Sequence, residues 1–234
     1  MDALIVAGDL FDTGSPPSYA RELYNRFVVD LQRTGCQLVV LGGNHDSVAT
    51  LNESRELLSC LNTTVIASAQ GAIEQQIVVL NRRDGQPGAV LCAIPFLRPR
   101  DLLTSRAGES GVQKQQALQE AIAEHYQALY QAACERRDRL GLPLPIVATG
   151  HLTTVGVTTS DSVRDIYIGT LDAFPAQAFP VPTISRWATF TARRTSPSRN
   201  IFAIAARRSR SASMNWAKPK ASSWSISPTA PFSG

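Results

Sequence analysis

From Thr183 to Gly234 the chain contains no aspartate or glutamate, although the residues before it hold all nineteen. The same stretch carries nine of the twenty-three Lys and Arg, and all three tryptophans, Trp187, Trp216 and Trp224. The formal net charge of +4 therefore hides two unlike parts, a body near −5 and a tail of +9. So sharp a change in composition marks a boundary. It predicts a folded part over 1–182 and, over 183–234, a tail without a packed core.

Other absences narrow the class further. No CxxC pair occurs among Cys36, Cys60, Cys92 and Cys134, and Cys36 and Cys92 lie in apolar runs, so buried free thiols are expected. Free thiols fit a reducing compartment. No apolar run is long enough to span a bilayer, and no signal-peptide pattern opens the chain. The expectation is a soluble cytoplasmic protein with no membrane partner. No internal repeat or low-complexity stretch interrupts residues 1–182.

What is present reads as an α/β layer protein. Ala3–Ala7 (ALIVA) is a short, continuously apolar run that stops at Gly8-Asp9, as a buried parallel strand would. Pro16-Pro17-Ser18 predicts a helix start with Ser18 as N-cap, and Leu23, Phe27 and Leu31, four apart, predict its buried face. Gly35 ends that helix, and Gln37–Leu41 (QLVVL) is a second buried strand running into GGNHD. This βαβ unit puts both polar loops at the same end of the sheet. Further on, Glu53–Leu61 reads as helix. Ile77–Leu80 and Ala89–Ala93 flank RRDGQPG like a hairpin. Gln113–Arg137 is a long amphipathic helix, and Pro145–Thr149 (PIVAT) is a strand ending at Gly150-His151.

Three apolar strands thus end in a glycine followed by a group able to bind metal: Gly8-Asp9, Gly43-Asn44-His45 and Gly150-His151. Asp9 could bridge two cations, Asn44 offers a neutral oxygen and His151 an imidazole nitrogen. This mixed set suits Mn, Fe or Zn better than Ca. Two such ions about 3.5–4 Å apart can activate a water and hold both oxygens of a phosphoryl transfer. His45 could stabilise the phosphate or protonate the leaving alkoxide, with Asp46 orienting its ring. The glycines would allow sharp turns and keep side chains out of a phosphate site. Each piece has a bland reading. A GDxxD at a strand end is often a turn or cap, and a lone His after a strand is usually a hydrogen-bonded loop residue. His125 reads as a solvated or half-buried helix residue. GNHD is more specific, since Asn-His-Asp after a buried strand serves little structural purpose, and the conjunction in this order carries the inference.

GDLFD (8–12), GNHD (43–46) and GH (150–151) resemble the calcineurin-like metallophosphoesterases, whose motif series runs DxH, GDxxD, GNH, H and GHxH. VAGDLFDTGSPPSYARELYNRFV, GGNHDSVATLNESRELL, IPFLRPRDLL and VRDIYIGTLDAFPA resemble the branch of that family that cuts DNA, from Asp2 to about Pro180. The resemblance implies a sandwich of two sheets flanked by helices, incomplete here. It further implies a manganese-dependent exonuclease and endonuclease that works with a partner ATPase on double-stranded and hairpin DNA, as a homodimer within a heterotetramer. By motif, Asp9 would bridge two Mn²⁺ ions, Asn44 and His151 would bind one of them, and His45 would act on the leaving group. Two alternatives stand beside it: another phosphatase or phosphodiesterase of the family, and a non-catalytic remnant that binds DNA or a partner.

Two motifs of the series do not appear. DxH belongs to a strand before Met1, and GHxH is expected shortly after FPVP, where TISRWATFTARR stands. Reading that stretch in a shifted frame restores it. Trp187 is TGG and Ala188 begins GC, which forces a Gly codon, and permitted codons turn 181–194 into ADYLALGHIHRA. The same frame turns 202–220 into IRYCGSPIPLSFDELGKTK. The tail is therefore expected to be an out-of-frame remnant, although Arg/Ser runs can also bind phosphate backbones. With two motifs gone, little or no activity is expected of the chain as written.

Overall fold

A computed structural model describes residues 1–103 and 110–151, and beyond them the backbone of three short strands, Thr154–Val155, Phe174–Pro175 and Trp187–Thr189. In chain order the elements begin with β1 (Ala3–Ala7), α1 (Ser18–Gln32) and β2 (Gln37–Leu41). Two short helices, α2 (Val48–Asn52) and α3 (Arg55–Ser59), lead to β3 (Thr63–Ile66). A 3-10 turn at Ile73–Gln76 precedes the antiparallel pair β4 (Ile77–Asn81) and β5 (Pro87–Cys92). Then follow α4 (Pro99–Leu102), α5 (Gly111–Leu140) and β6 (Ile146–Gly150). The three short strands are β7, β8 and β9 in the same order.

β1, β2 and β3 form a parallel sheet in that order, with Ala7 beside Leu41 and Leu41 beside Ile66. β4, β5, β6 and β9 form a second, mixed sheet, while β7 pairs with β8. Strand pleating sends alternate residues to opposite faces. Val39 and Leu41 therefore meet Leu91 and Ala93 in the layer between the sheets. Leu38 and Val40 point the other way, onto Val28, Leu51 and Leu58 of the helices. On the far side, Val90, Cys92, Ile146 and Ala148 pack on α5. The result is the two-sheet sandwich between helical layers that the motif order implied.

α5 shows how local chemistry sets an element. Its buried residues Leu118, Ile122, Tyr126, Leu129 and Ala133 recur every three or four positions, one stripe of a helix. Ser110 and Gln113 close a reciprocal capping box at its start, and Gly141 ends it with a φ of 64°.

Several local expectations give way. The buried face of α1 is the row of Ala20, Tyr24, Val28 and Leu31, while Leu23 and Phe27 are 58% and 42% exposed. Pro17, not Ser18, takes the N-cap position and supplies no side-chain cap. Within Glu53–Leu61 only α3 (Arg55–Ser59) is helical, since α2 has already ended at Asn52, and a further strand, β3, follows it. In the expected tail, residues 187–189 form β9 alongside β6; the remainder of 183–234 lies outside the described residues. Cys36 and Cys92 are buried free thiols as expected.

Candidate metal centre

β1, β2 and β6 all end at one edge of the sandwich, and each delivers one polar side chain there. The parallel register sets Ala7 level with Leu41, so Asp9 and Asn44 leave their strands at the same height. His151 follows β6 in the other sheet, and its ring reaches across between them. Its Nε2 lies 2.7 Å from Asn44 Oδ1 and 3.3 Å from Asp9 Oδ2. Its Nδ1–H donates to the Ala7 carbonyl at 3.0 Å.

That last bond fixes which nitrogen faces the centre. With Nδ1 committed to a backbone oxygen, Nε2 is the nitrogen left facing Asn44 and Asp9. Nε2 thus stands from each of the two oxygens at about the separation of neighbouring ligands around a cation with bonds of about 2.0–2.2 Å. The residues fit one divalent cation. Among the described residues no cluster of three His, Cys, Asp or Glu side chains forms a metal site; here the third donor is an amide.

Without a cation the imidazole sits among acceptors. Burial alone pulls the His151 pKa down, but the hydrogen bond and charge of Asp9, with the Ala7 carbonyl, raise it above 6.5. Burial pushes the Asp9 carboxyl up, yet His151 and the His45 backbone N–H outweigh this and hold it below 3.8.

Two glycines permit the approach. A Cβ on Gly8, whose φ is +101°, would overlap His151 Nδ1, and one on Gly43 would overlap the backbone N and Oδ1 of Asp9. At both positions the missing side chain lets the motifs close on each other. Asp9 itself has a φ of 50°, uncommon for a residue with a side chain and tolerated best by Asp and Asn.

The structure places His45 and Asp46 differently from each other. The His45 backbone N–H donates to Asp9 Oδ1 at 3.1 Å, and its ring Nδ1 lies 3.1 Å from the Asp12 carbonyl. Asp46 does not orient that ring. It is buried, and its carboxylate accepts from the backbone N–H of Gly43 (2.8 Å), Phe11 (2.9 Å) and Leu10 (3.1 Å). Burial raises the Asp46 pKa despite these three bonds. Its role is to tie the GDLFD loop to the GNHD loop. His125 is half-buried, lies 3.2 Å from Gln76 Oε1 and takes no part.

Sequence reasoning missed Phe96 and Arg98, in the loop that leaves β5. Phe96 stands edge-on to the His151 ring with centroids 6.0 Å apart. The Arg98 guanidinium lies 5.6 Å from the Phe96 centroid and donates to the carbonyls of Gly43 and Asp46. No periodicity marks them; the run FLRPR, rich in charge after a buried strand, was the available signal.

Parallel strands in a two-sheet sandwich, with Asp, Asn and His gathered at their carboxyl ends, are the arrangement that the sequence resemblance implied. Residues 1–102 match the family described as Calcineurin-like phosphoesterase. Over 180 residues the chain is 69% identical to the SbcD component of the SbcCD nuclease of Escherichia coli (strain K12), covering 77% of this chain and 44% of the relative. SbcD proteins from Rhodobacter capsulatus (30% over 188 residues, 77% of this chain, 45% of the relative) and Bacillus subtilis (24% over 197 residues, 77% and 44%) are also similar. The chain spans less than half the length of these relatives.

Proposed function

We propose that the chain is part of an SbcD-type DNA nuclease, with Asp9, Asn44 and His151 as ligands for Mn²⁺. The observation that carries this is the meeting of three side chains from two sheets at one point, with His151 Nε2 within 2.7 Å of Asn44 Oδ1 and 3.3 Å of Asp9 Oδ2. In intact relatives of this chemistry two ions would lower the pKa of an attacking water and neutralise the developing charge.

This chain's residues do the rest. Asp9 supplies the carboxylate, held off protonation by His151. Asn44 adds a neutral oxygen that leaves the net charge of the site unchanged. His45, beside the centre and anchored through its backbone N–H, is the proton donor to the leaving oxygen. Double-stranded and hairpin DNA is the proposed substrate, and the SbcC ATPase the partner, in a heterotetramer built on a homodimer in the cytoplasm. Among the described residues no helix is long and apolar enough to cross a membrane.

The described residues bring three donors, enough for one cation and too few for two. β9 is formed by Trp187–Thr189 of the chain as written and runs parallel to β6 with Thr189 beside Gly150, so it bears on this sequence and not on the shifted-frame reading. Losing one oxyanion-stabilising contact costs about 10²–10³ in rate, so the chain as written should cut DNA at least that much more slowly than a version extended upstream and read through in the shifted frame. The test assays both on linear duplex and hairpin DNA with Mn²⁺. His45→Ala and Asn44→Ala should abolish cleavage by the repaired protein. Comparable cleavage by the unrepaired chain, lost on His45→Ala, would overturn the assignment of missing ligands. A repaired protein that hydrolyses only small phosphate esters would point to another phosphoesterase.

A further inference from the structure

Asn44 and His45 sit on the short irregular stretch between β2 and α2, so no helix or strand ladder fixes the backbone that carries them. What fixes it comes from elsewhere. On one side the Asp46 carboxylate binds Gly43 N–H and the loop after β1. On the other side is Arg98, from the loop after β5 in the opposite sheet. Its Nη2 donates to the Gly43 carbonyl at 3.1 Å and the Asp46 carbonyl at 3.0 Å, the residues that bracket Asn44-His45. The same loop is itself anchored, since Phe96 N–H donates to the Gly42 carbonyl at 2.7 Å. Phe96 also links the two partners of the centre: its ring stands edge-on to His151 and lies against the Arg98 guanidinium.

We propose that Arg98 is a positioning residue for the metal centre, bridging the Gly43 and Asp46 carbonyls so that Asn44 Oδ1 is held against His151 Nε2 before a cation binds. This rests on the reading of Asn44 and His151 as ligands. Both bonds come from Nη2 while the guanidinium plane lies against Phe96, a combination of reach and flat face that the compact ammonium of a shorter lysine does not reproduce. Arg98→Lys should therefore keep the charge and lose the bridge. Partners that orient metal ligands are typically worth 10–100-fold in metal affinity.

The test follows amide hydrogen exchange and Mn²⁺ binding in the full chain and in Arg98→Lys, with Arg98→Ala as a second variant. Exchange at Gly43 and His45, whose N–H groups bind Asp46 and Asp9, should quicken by about tenfold or more in Arg98→Lys. Exchange at Val39 and Val40 inside β2 should not change. Mn²⁺ affinity should fall about 10-fold or more. Unchanged exchange at Gly43 and His45 would overturn the proposal, as would an equal acceleration at Val39 and Val40, which would make Arg98 a contributor to overall stability alone. If the unaltered chain binds no Mn²⁺, the ligand reading fails, and the exchange contrast still decides whether Arg98 sets this loop.

Discussion

At the scale of single residues, the centre pairs the buried His151 with a half-buried Asp9, with an amide leaning on them, and its charge states set how the protein responds to pH. Asp9 ionises more readily in the fold than its ordinary 3.8, so its contribution to stability is complete above that value and fades as pH falls through the lower folded one. His151 has the opposite sign: held above 6.5, it contributes fully below that value and fades as pH rises through the folded one. The pair therefore stabilises the metal-free fold most between about pH 4 and 6.5. Asp46 works against this, since burial raises its pKa. Chemical-denaturation midpoints across pH should show the His151→Gln variant losing the excess stability in that window and little of it at pH 8. An equal loss at every pH would contradict the charge assignment. Mn²⁺ must also displace the Nε2 proton, so its apparent affinity should fall about tenfold for each pH unit below the His151 pKa. Gly8→Ala is expected to cost at least about 2 kcal/mol, from the positive φ and the overlap with His151 together, read as a shift in urea midpoint.

At the scale of elements, α1 shows what periodicity does and does not reveal. Its sequence holds two apolar rows four residues apart, Leu23-Phe27-Leu31 and Ala20-Tyr24-Val28, and the larger side chains favoured the wrong one. The sheet decides instead: Tyr24 meets Phe11 edge-on at 5.9 Å, and Val28 drops onto the β2 face. Val28→Ala should cost about 2 kcal/mol by burial and cavity terms. Leu23→Ala should change stability by less than about 0.5 kcal/mol. The reverse order in thermal or urea unfolding would restore the original face. Tyr19, Leu23 and Phe27 leave an exposed apolar row along α1. By contrast β1, β2, β6 and α5 were legible almost to the residue. Continuous apolar runs ending in Gly, and a capped stripe every three to four residues, leave few other solutions. β3 was not, because TTVI is too short and too mixed to separate from the helix before it.

At the scale of the whole molecule, the sequence pointed to Asp9, Asn44 and His151 but not to how they would meet. A right-handed βαβ unit brings Asp9 and Asn44 to one edge from chain order alone. The approach of His151 from the second sheet depends on how the sheets pack face to face, through Val39, Leu41, Leu91 and Ala93, and no spacing encodes that. Nor does any spacing show that Asp46 would bind three amides, or that Arg98 would reach over from the far sheet. The central claim is that Asp9, Asn44 and His151 form one cation site in this chain, and Mn²⁺ titration followed by electron paramagnetic resonance tests it most directly. One Mn²⁺ per chain is expected, lost in Asn44→Ala and His151→Ala and retained in His125→Ala. No bound Mn²⁺, or binding indifferent to Asn44 and His151, would contradict it.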